Sequence, residues 1–204
     1  MKNILKLFLF IFAFFLLSQA SVANDKEIEA LLKKPFLKAS FVKQRKLKIL
    51  SKPFNTAGII LFMPEKGVVW QTQKPLIDTL VIKNNGEMLS VKENNLPQAP
   101  NNPFIGLASR IFLTLLSLDL GKIQQLFLIE KGDKQGDLYS YTLRPKDQQL
   151  SNIIDRIVLS GKVRMENIHI IEKSGDSTLV NFSNELFDMD KLTSFDKELL
   201  DSLK

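Results

Sequence analysis

The chain has 204 residues, no cysteine, one histidine and a formal net charge of +6. Because it lacks cysteine, it forms no disulfide and cannot be lipid-modified on a lipobox cysteine, so its stability must come from packing. It contains no Gly-x-Ser-x-Gly motif, no phosphate-binding glycine loop and no His or Cys pair for a metal. These absences argue against the common hydrolase and metal-dependent classes, and the mild positive charge does not by itself indicate nucleic-acid binding.

The first 23 residues predict a secretory signal peptide. Lys2 and Lys6 accompany an unbroken apolar run of eleven residues, 7–17, whereas a spanning helix needs about 20, so an uncleaved anchor is the weaker alternative. Small residues favour cleavage after Ala23. Cleavage leaves one domain, residues 24–204, with a net charge of +4. The expected compartment is the periplasm of a Gram-negative bacterium.

The next part of the chain predicts a short helix and then a meander of strands. The helix is capped by Asp25 and ends at Pro35. Period-two alternation and turn residues then predict five strands, at residues 38–50, 58–63, 68–73, 78–83 and 87–92. The last two flank Asn84-Asn85-Gly86, which is typical of a β-hairpin turn.

The middle of the chain interrupts the strands. Residues 94–103 are rich in proline and asparagine and predict a loop, and Asn102 followed by Pro103 predicts a helix start. Apolar residues then recur at helical spacing, and a second helical piece is predicted at residues 120–127. These helices either seal the hydrophobic core on one side or cover a cavity that can open.

The second half returns to strands. Five more are predicted, at residues 126–130, 137–144, 152–159, 163–172 and 177–182, followed by a short helix within residues 188–204. Short connections imply antiparallel pairing. The predicted fold class is therefore mainly β with helices: a strongly curved antiparallel sheet, or incomplete β-barrel, with a helical lid on its concave side.

Several segments of this chain resemble the LolA family of periplasmic lipoprotein carriers. They are ASFVKQ at residues 39–44, the strand that begins at Gly58, GVVW at 67–70, QKP at 73–75 and NFSN at 181–184. The resemblance implies an open barrel whose hydrophobic cavity receives acyl chains, without a cofactor, a metal or catalysis. The implied partners are an acylated lipoprotein or lipid cargo, an inner-membrane transporter as donor and an outer-membrane acceptor. We expect a monomer that does not bind nucleic acid.

One turn departs from the family pattern. The best-known carriers keep an arginine before the tryptophan-bearing strand, where it is thought to help close the lid, but here residues 64–67 read PEKG. Lysine lacks the planar fork of arginine. Arg45 and Lys66 are therefore the candidates for a lid latch or a head-group contact. The cargo could also be a glycolipid or another acylated molecule, as for LolA-like proteins beside lipid or polyene biosynthesis and export systems.

The candidate ligand-binding residues are apolar and lie on predicted strands and the first helix. The expected cavity wall comprises Phe41, Leu61, Phe62, Val68, Trp70, Leu80 and Ile82. The expected lid comprises Leu107, Ile111, Phe112 and Leu115. A plain core predicts the same residue types, and strand alternation allows only one of Leu61 and Phe62 to face the cavity.

Two function classes besides the carrier stay open at this point. A periplasmic lipid- or lipoprotein-sensing regulator would use the same half-barrel, and a periplasmic hydrolase is less favoured. A basic cluster between Lys33 and Lys52 contains no acidic residue. It is either a solvated strand edge or a docking surface for anionic lipid head groups or an acidic partner protein.

Overall fold

The computed structural model describes residues 37–63, 66–92, 105–117, 119–130, 132–162 and 164–203. The expected signal peptide, the expected helix at residues 25–34 and the whole of the expected loop at 94–103 lie outside these residues. None of the described helices is long and apolar enough to cross a membrane.

The described residues form eleven strands in one antiparallel sheet. They are β1 (Lys38–Lys46), β2 (Phe54–Met63), β3 (Gly67–Lys74), β4 (Asp78–Lys83), β5 (Met88–Lys92), β6 (Phe127–Ile129), β7 (Asp133–Gln135), β8 (Leu138–Pro145), β9 (Ile154–Gly161), β10 (Met165–Glu172) and β11 (Ser177–Leu186). Their order is β5-β4-β3-β2-β1-β11-β10-β9-β8-β6, with β7 paired to β8. The end strands do not pair with each other, so the prediction of an unclosed antiparallel sheet is confirmed.

Four α-helices accompany the sheet within the described ranges. They are α1 (Ile105–Ser117), α2 (Leu120–Leu126), α3 (Gln148–Ser151) and α4 (Ser194–Asp201). As predicted, α1 and α2 separate the two halves of the sheet, and α2 begins at Asp119, whose carboxylate accepts a hydrogen bond from the Lys122 amide. The short β7 and α3 were not predicted. The first strand ends at Lys46 rather than residue 50, because the Leu50 amide donates to the Leu47 carbonyl and closes a turn.

Side-chain alternation gives the sheet two apolar faces. The inner face carries Phe41, Trp70 and Ile82 and packs against α1 and α2. The outer face carries a separate cluster, which packs against the C-terminal segment and α4. That cluster consists of Leu61, Val69, Val81, Leu192, Leu200 and Leu203. Because adjacent strand residues point to opposite faces, β2, β3 and β4 contribute to both clusters without mixing them.

An aromatic contact joins helix α1 to the inner face. The ring centroids of Trp70 and Phe41 are 3.9 Å apart, and those of Trp70 and Phe112 are 5.0 Å apart in an edge-on arrangement. Such aromatic pairs contribute about 0.5–1.5 kcal/mol beyond the area that they bury. The indole of Trp70 therefore connects the sheet to the helix that covers it.

A buried ion pair fixes α4 on the outer face. Asp196 is fully buried, and its carboxylate accepts hydrogen bonds from the Lys38 amine at 2.7 and 2.8 Å. The same carboxylate caps the helix by accepting from the backbone amide and hydroxyl of Thr193. Burial alone would raise the pKa of Asp196, but the hydrogen bonds from Lys38 and Thr193 outweigh it, so its pKa lies below the usual value.

Replacement of Phe112 by alanine should uncover the indole of Trp70, the sole tryptophan of the chain. We expect stronger acrylamide quenching and a longer emission wavelength. Phe112 is only partly buried, so the loss of stability should be smaller than the about 3–5 kcal/mol typical of a fully buried phenylalanine. Phe195→Ala, at a half-exposed position on α4, is the matched control and should leave the quenching unchanged. Unchanged quenching in Phe112→Ala would show that α1 does not shield this side chain.

Replacement of Asp196 by asparagine should lower the free energy of unfolding by about 1.5–3 kcal/mol at neutral pH, because hydrogen bonds to a charged group are lost. The folded-state pKa lies below the unfolded value of about 3.9. The stabilisation is therefore present above that pH and is lost as the pH falls through the folded-state pKa. Urea unfolding at several pH values should show the difference shrinking in acid. Asp190→Asn, at an exposed position, is the control, and a pH-independent difference for Asp196→Asn would contradict this account.

Candidate functional site

A half-enclosed cavity of about 450 Å³ lies between the inner face and helix α1. Its volume falls within the about 300–1,000 Å³ typical of small-molecule sites. Its lining extends from Met88 on β5 to Ile154 on β9, which are seven strand spacings apart in the sheet order. At about 4.8 Å per spacing these strands would be roughly 34 Å apart in a flat sheet. The sheet therefore curves around the cavity, as predicted.

Most of the cavity wall is apolar. The first half of the sheet, the helix and the second half all contribute large side chains. They are Trp70, Leu80, Ile82 and Met88 from the first half, Ile111, Phe112 and Leu115 from α1, and Ile153, Ile154, Ile168, Ile170 and Val180 from the second half. A wall of this composition can hold a flexible hydrocarbon chain, since burial of apolar surface does not depend on direction.

One end of the cavity is polar. It lies at the edge of the sheet where β1, β3 and β10 end and β4 and β11 begin, which we call the mouth end. Two cationic, two anionic and two hydroxyl side chains line it. They are Lys43, Arg45, Asp78, Glu172, Thr72 and Thr178. The cavity is thus amphipathic, with charged groups at the mouth end and hydrocarbon beyond it.

Arg45 is held by the hairpin between β10 and β11. Its guanidinium donates hydrogen bonds to Glu172 and, at 2.8 Å, to the hydroxyl of Thr178, and it lies 3.5 Å from a carboxylate oxygen of Asp176. The hydrogen bond to Glu172 raises the pKa of Arg45, more than burial lowers it. None of these partners is on a helix, so the described contacts of Arg45 do not make it a latch for α1.

Lys43 lies two residues before Arg45 on the same face of β1 and is half-buried. Burial lowers the pKa of its amine, and the positive charge of Arg45 lowers it further, whereas Asp78 opposes both effects. No carboxylate of the described residues lies within 4.0 Å of this amine. Lys43 was not among the residues expected at the site, although it shares the alternation of Phe41, which was the available signal.

The structure divides the expected wall residues among four environments. Trp70, Leu80 and Ile82 line the cavity. Phe41 and Val68 are buried in the inner-face core beside it. Phe62 is also on the inner face but lines a second, more polar cavity of about 490 Å³ near Arg110 and Thr114.

Leu61 does not belong to the cavity wall, and its assignment there was wrong. It follows the inner-face residue Ile60 on β2, so its side chain points to the outer face, where it packs with Val69 and Leu200. Because β2 is apolar on both faces, its sequence alone did not distinguish these two directions.

The structure describes the side chains of three of the four expected lid residues. Ile111, Phe112 and Leu115 line the cavity from α1, whereas the side chain of Leu107 lies outside the described part of the structure.

Lys66 is exposed in the turn between β2 and β3, at the opposite end of the strands from the mouth end. The cavity residues of β10 and β11 were missed, because β10 carries isoleucine at both alternating sets of positions and β11 pairs with the distant strand β1.

His169 is not near the cavity. It alternates with the inner-face residues Ile168 and Ile170 on β10 and pairs with Val158 and Leu179 across the sheet. Burial lowers its pKa, and so does the charge of Arg156. Within the described ranges, no three His, Asp or Glu side chains converge in a way that could hold a metal ion.

Comparison with known proteins identifies the family. The model of the outer membrane lipoprotein carrier protein LolA matches residues 35–190, whereas no curated protein matches the chain. Similar solved structures include a LolA superfamily protein of Nitrosomonas europaea, 10% identical, with a TM-score of 0.45, covering 83% of this chain and 97% of that one. An outer membrane lipoprotein-sorting protein domain of Vibrio parahaemolyticus is 12% identical, with a TM-score of 0.44, covering 89% of this chain and 97% of that one. A chain of the Pseudomonas aeruginosa MucA/MucB complex is 10% identical, with a TM-score of 0.44, covering 85% of this chain and 61% of that one. Since the family model covers more than half of its length, this chain belongs to the LolA family.

Proposed function

We propose that this chain is a non-catalytic periplasmic carrier, which shields acyl chains of a lipoprotein or lipid and delivers them toward the outer membrane. The observation that carries the proposal is the unfilled apolar space of about 450 Å³ beneath α1. Apolar cavities lower stability in proportion to their volume. A protein that retains an apolar cavity beside a well-packed sheet has a binding site for hydrocarbon.

The energetics of acyl-chain burial agree with a carrier. Each buried methylene contributes about 0.8 kcal/mol, so one long acyl chain leaving water gains on the order of 10 kcal/mol. A carrier has to match this gain and later release the cargo. Helix α1 forms one wall of the cavity through Ile111, Phe112 and Leu115, so a displacement of this helix would expose the bound chain.

Family membership supports the remaining parts of the proposal. LolA-family proteins serve lipoprotein transport in the periplasm, which fits an inner-membrane transporter as donor and an outer-membrane acceptor. Of the candidate wall and lid residues, the binding role is assigned to Trp70, Leu80, Ile82, Ile111, Phe112 and Leu115, which line the cavity.

The proposal predicts that the protein purified from the periplasm of its own bacterium carries an acylated molecule in near-stoichiometric amount, detectable by native mass spectrometry. Leu80→Glu places a charge in the apolar wall and should reduce loading at least about tenfold, because an unpaired buried charge is costly. Val42→Glu, at a half-exposed position on the same sheet, should load normally. Equal loading of both variants, with circular dichroism unchanged, would place the cargo elsewhere.

A further inference from the structure

Two unpaired polar groups lie side by side near the polar end of the cavity. Lys43 and Thr56 are directly opposite each other in the register of β1 and β2, so their side chains are on the same face. The hydroxyl oxygen of Thr56 is buried without a hydrogen-bond partner among the described residues. Buried polar groups in native proteins are almost always paired. The Lys43 amine lines the cavity, where a ligand can reach it, whereas the Thr56 oxygen is enclosed by protein.

The charged groups around Lys43 do not neutralise it. Two carboxylates, Glu172 and Asp176, accompany the single charge of Arg45, and neither of them pairs with Lys43. Asp78 attracts the Lys43 amine from β4, yet it lies beyond 4.0 Å, and burial together with Arg45 still lowers the pKa of Lys43. A half-buried cation with incomplete compensation is costly. An anion bound next to it would remove part of that cost.

We propose that Lys43 binds the anionic head group of an amphiphilic cargo whose acyl chain occupies the apolar part of the cavity. This inference rests on the proposed carrier function and narrows its cargo. The head group accepts a charge-assisted hydrogen bond from the amine. Carboxylate and phosphate share this chemistry, whereas a neutral lipid of the same chain length lacks it.

Three probes with the same alkyl chain test the inference: dodecanoate, dodecyl phosphate and 1-dodecanol. Binding is followed by calorimetry and by the fluorescence of Trp70, which lines the cavity. The wild type should bind the two anions about 10- to 100-fold more tightly than the alcohol, the value of one charge-assisted hydrogen bond. Lys43→Met should remove this preference while keeping alcohol binding, and Lys43→Arg should retain it. Lys197→Met, at an exposed position on α4 on the outer face, is the control and should retain it as well.

The possible outcomes distinguish the proposed carrier function from the proposed head-group site at Lys43. If the wild type binds none of the probes, the carrier function fails. If all three bind equally in the wild type, or if Lys43→Met keeps the preference, the carrier stands and the Lys43 site is overturned. If Lys43→Met loses alcohol binding through misfolding, a pH titration of the wild type decides. The preference for dodecanoate should then fall as the pH rises through the pKa of Lys43, and a constant preference would overturn the site. The tighter binder of dodecanoate and dodecyl phosphate identifies the head group as a carboxylate or a phosphate.

A second, independent observation concerns the surface around the mouth end. Six of the eleven exposed large hydrophobic side chains of the described residues lie there, on the loops that precede β2, β4 and β9 or at the first residue of β2. They are Ile49, Leu50, Phe54, Leu76, Ile77 and Ile153, which we call the mouth patch. Ile49 is 89% exposed and Leu76 is 77% exposed. Single exposed apolar residues are ordinary, but their concentration at one end of a molecule marks an interaction surface.

Exposed lysines accompany the mouth patch. They are Lys46, Lys48, Lys52 and Lys74, and none of them forms a salt bridge within the part of the chain that the structure describes. Apolar side chains beside lysines are typical of surfaces that insert shallowly into anionic membranes. We infer that the mouth end docks on an anionic bilayer, which would place the polar end of the cavity against the lipid head groups.

Vesicle co-sedimentation tests this docking. The protein should bind phosphatidylcholine vesicles that contain phosphatidylglycerol, bind pure phosphatidylcholine more weakly, and lose affinity as salt screens the lysines. The double change Ile49→Ser and Leu76→Ser should weaken binding at least about tenfold, because two apolar side chains no longer enter the bilayer. Leu128→Ser, at a 58% exposed position on β6, is the control. Absence of binding to either vesicle, as expected for a protein partner instead, or equal binding by the double variant, overturns the inference.

Discussion

The contact of Trp70 with Phe112 is the interaction on which the proposed site depends. It joins helix α1 to a sheet that curves around an unfilled space, and Phe41 supports the same indole from the sheet side. Without a side chain of this size on β3, either the helix would collapse onto the sheet or the cavity would lose its cover. The aromatic contact is also modest enough in energy to break when cargo enters.

The two faces of the sheet have different roles. The outer face is closed by α4, by the cluster around Leu61 and Leu200, and by the buried pair of Lys38 and Asp196. The inner face retains a cavity, which lowers stability. Antiparallel pairing along the whole sheet and tight packing on the outer side stabilise the fold, so the inner side can remain partly unfilled.

The cationic side chains at the mouth end differ in whether they are paired with carboxylates of the protein. Arg45 is held by Glu172, Asp176 and Thr178 and ties β1 to the last hairpin. Lys43, two residues deeper, lines the cavity without a paired carboxylate among the described residues, and it is the group that we propose a ligand uses. This arrangement and the apolar surface around the mouth are consistent with an amphiphile that enters at a membrane, chain inward and head group outward.

The sequence by itself determined the strands, the helical insertion, the family and the amphipathic character of the first half, because alternation, turn residues and helical spacing are local signals. Trp70, Leu80 and Ile82, which the sequence indicated as wall residues, line the cavity together with Ile111, Phe112 and Leu115 of α1, and their binding role stays a prediction. Only the tertiary structure decided that Leu61 faces outward and that Lys43 and the second-half isoleucines face the cavity. β2 is apolar on both faces, and β11 pairs with β1, a strand more than a hundred residues away. Register of that range comes from the assembled sheet and is not encoded in any local pattern.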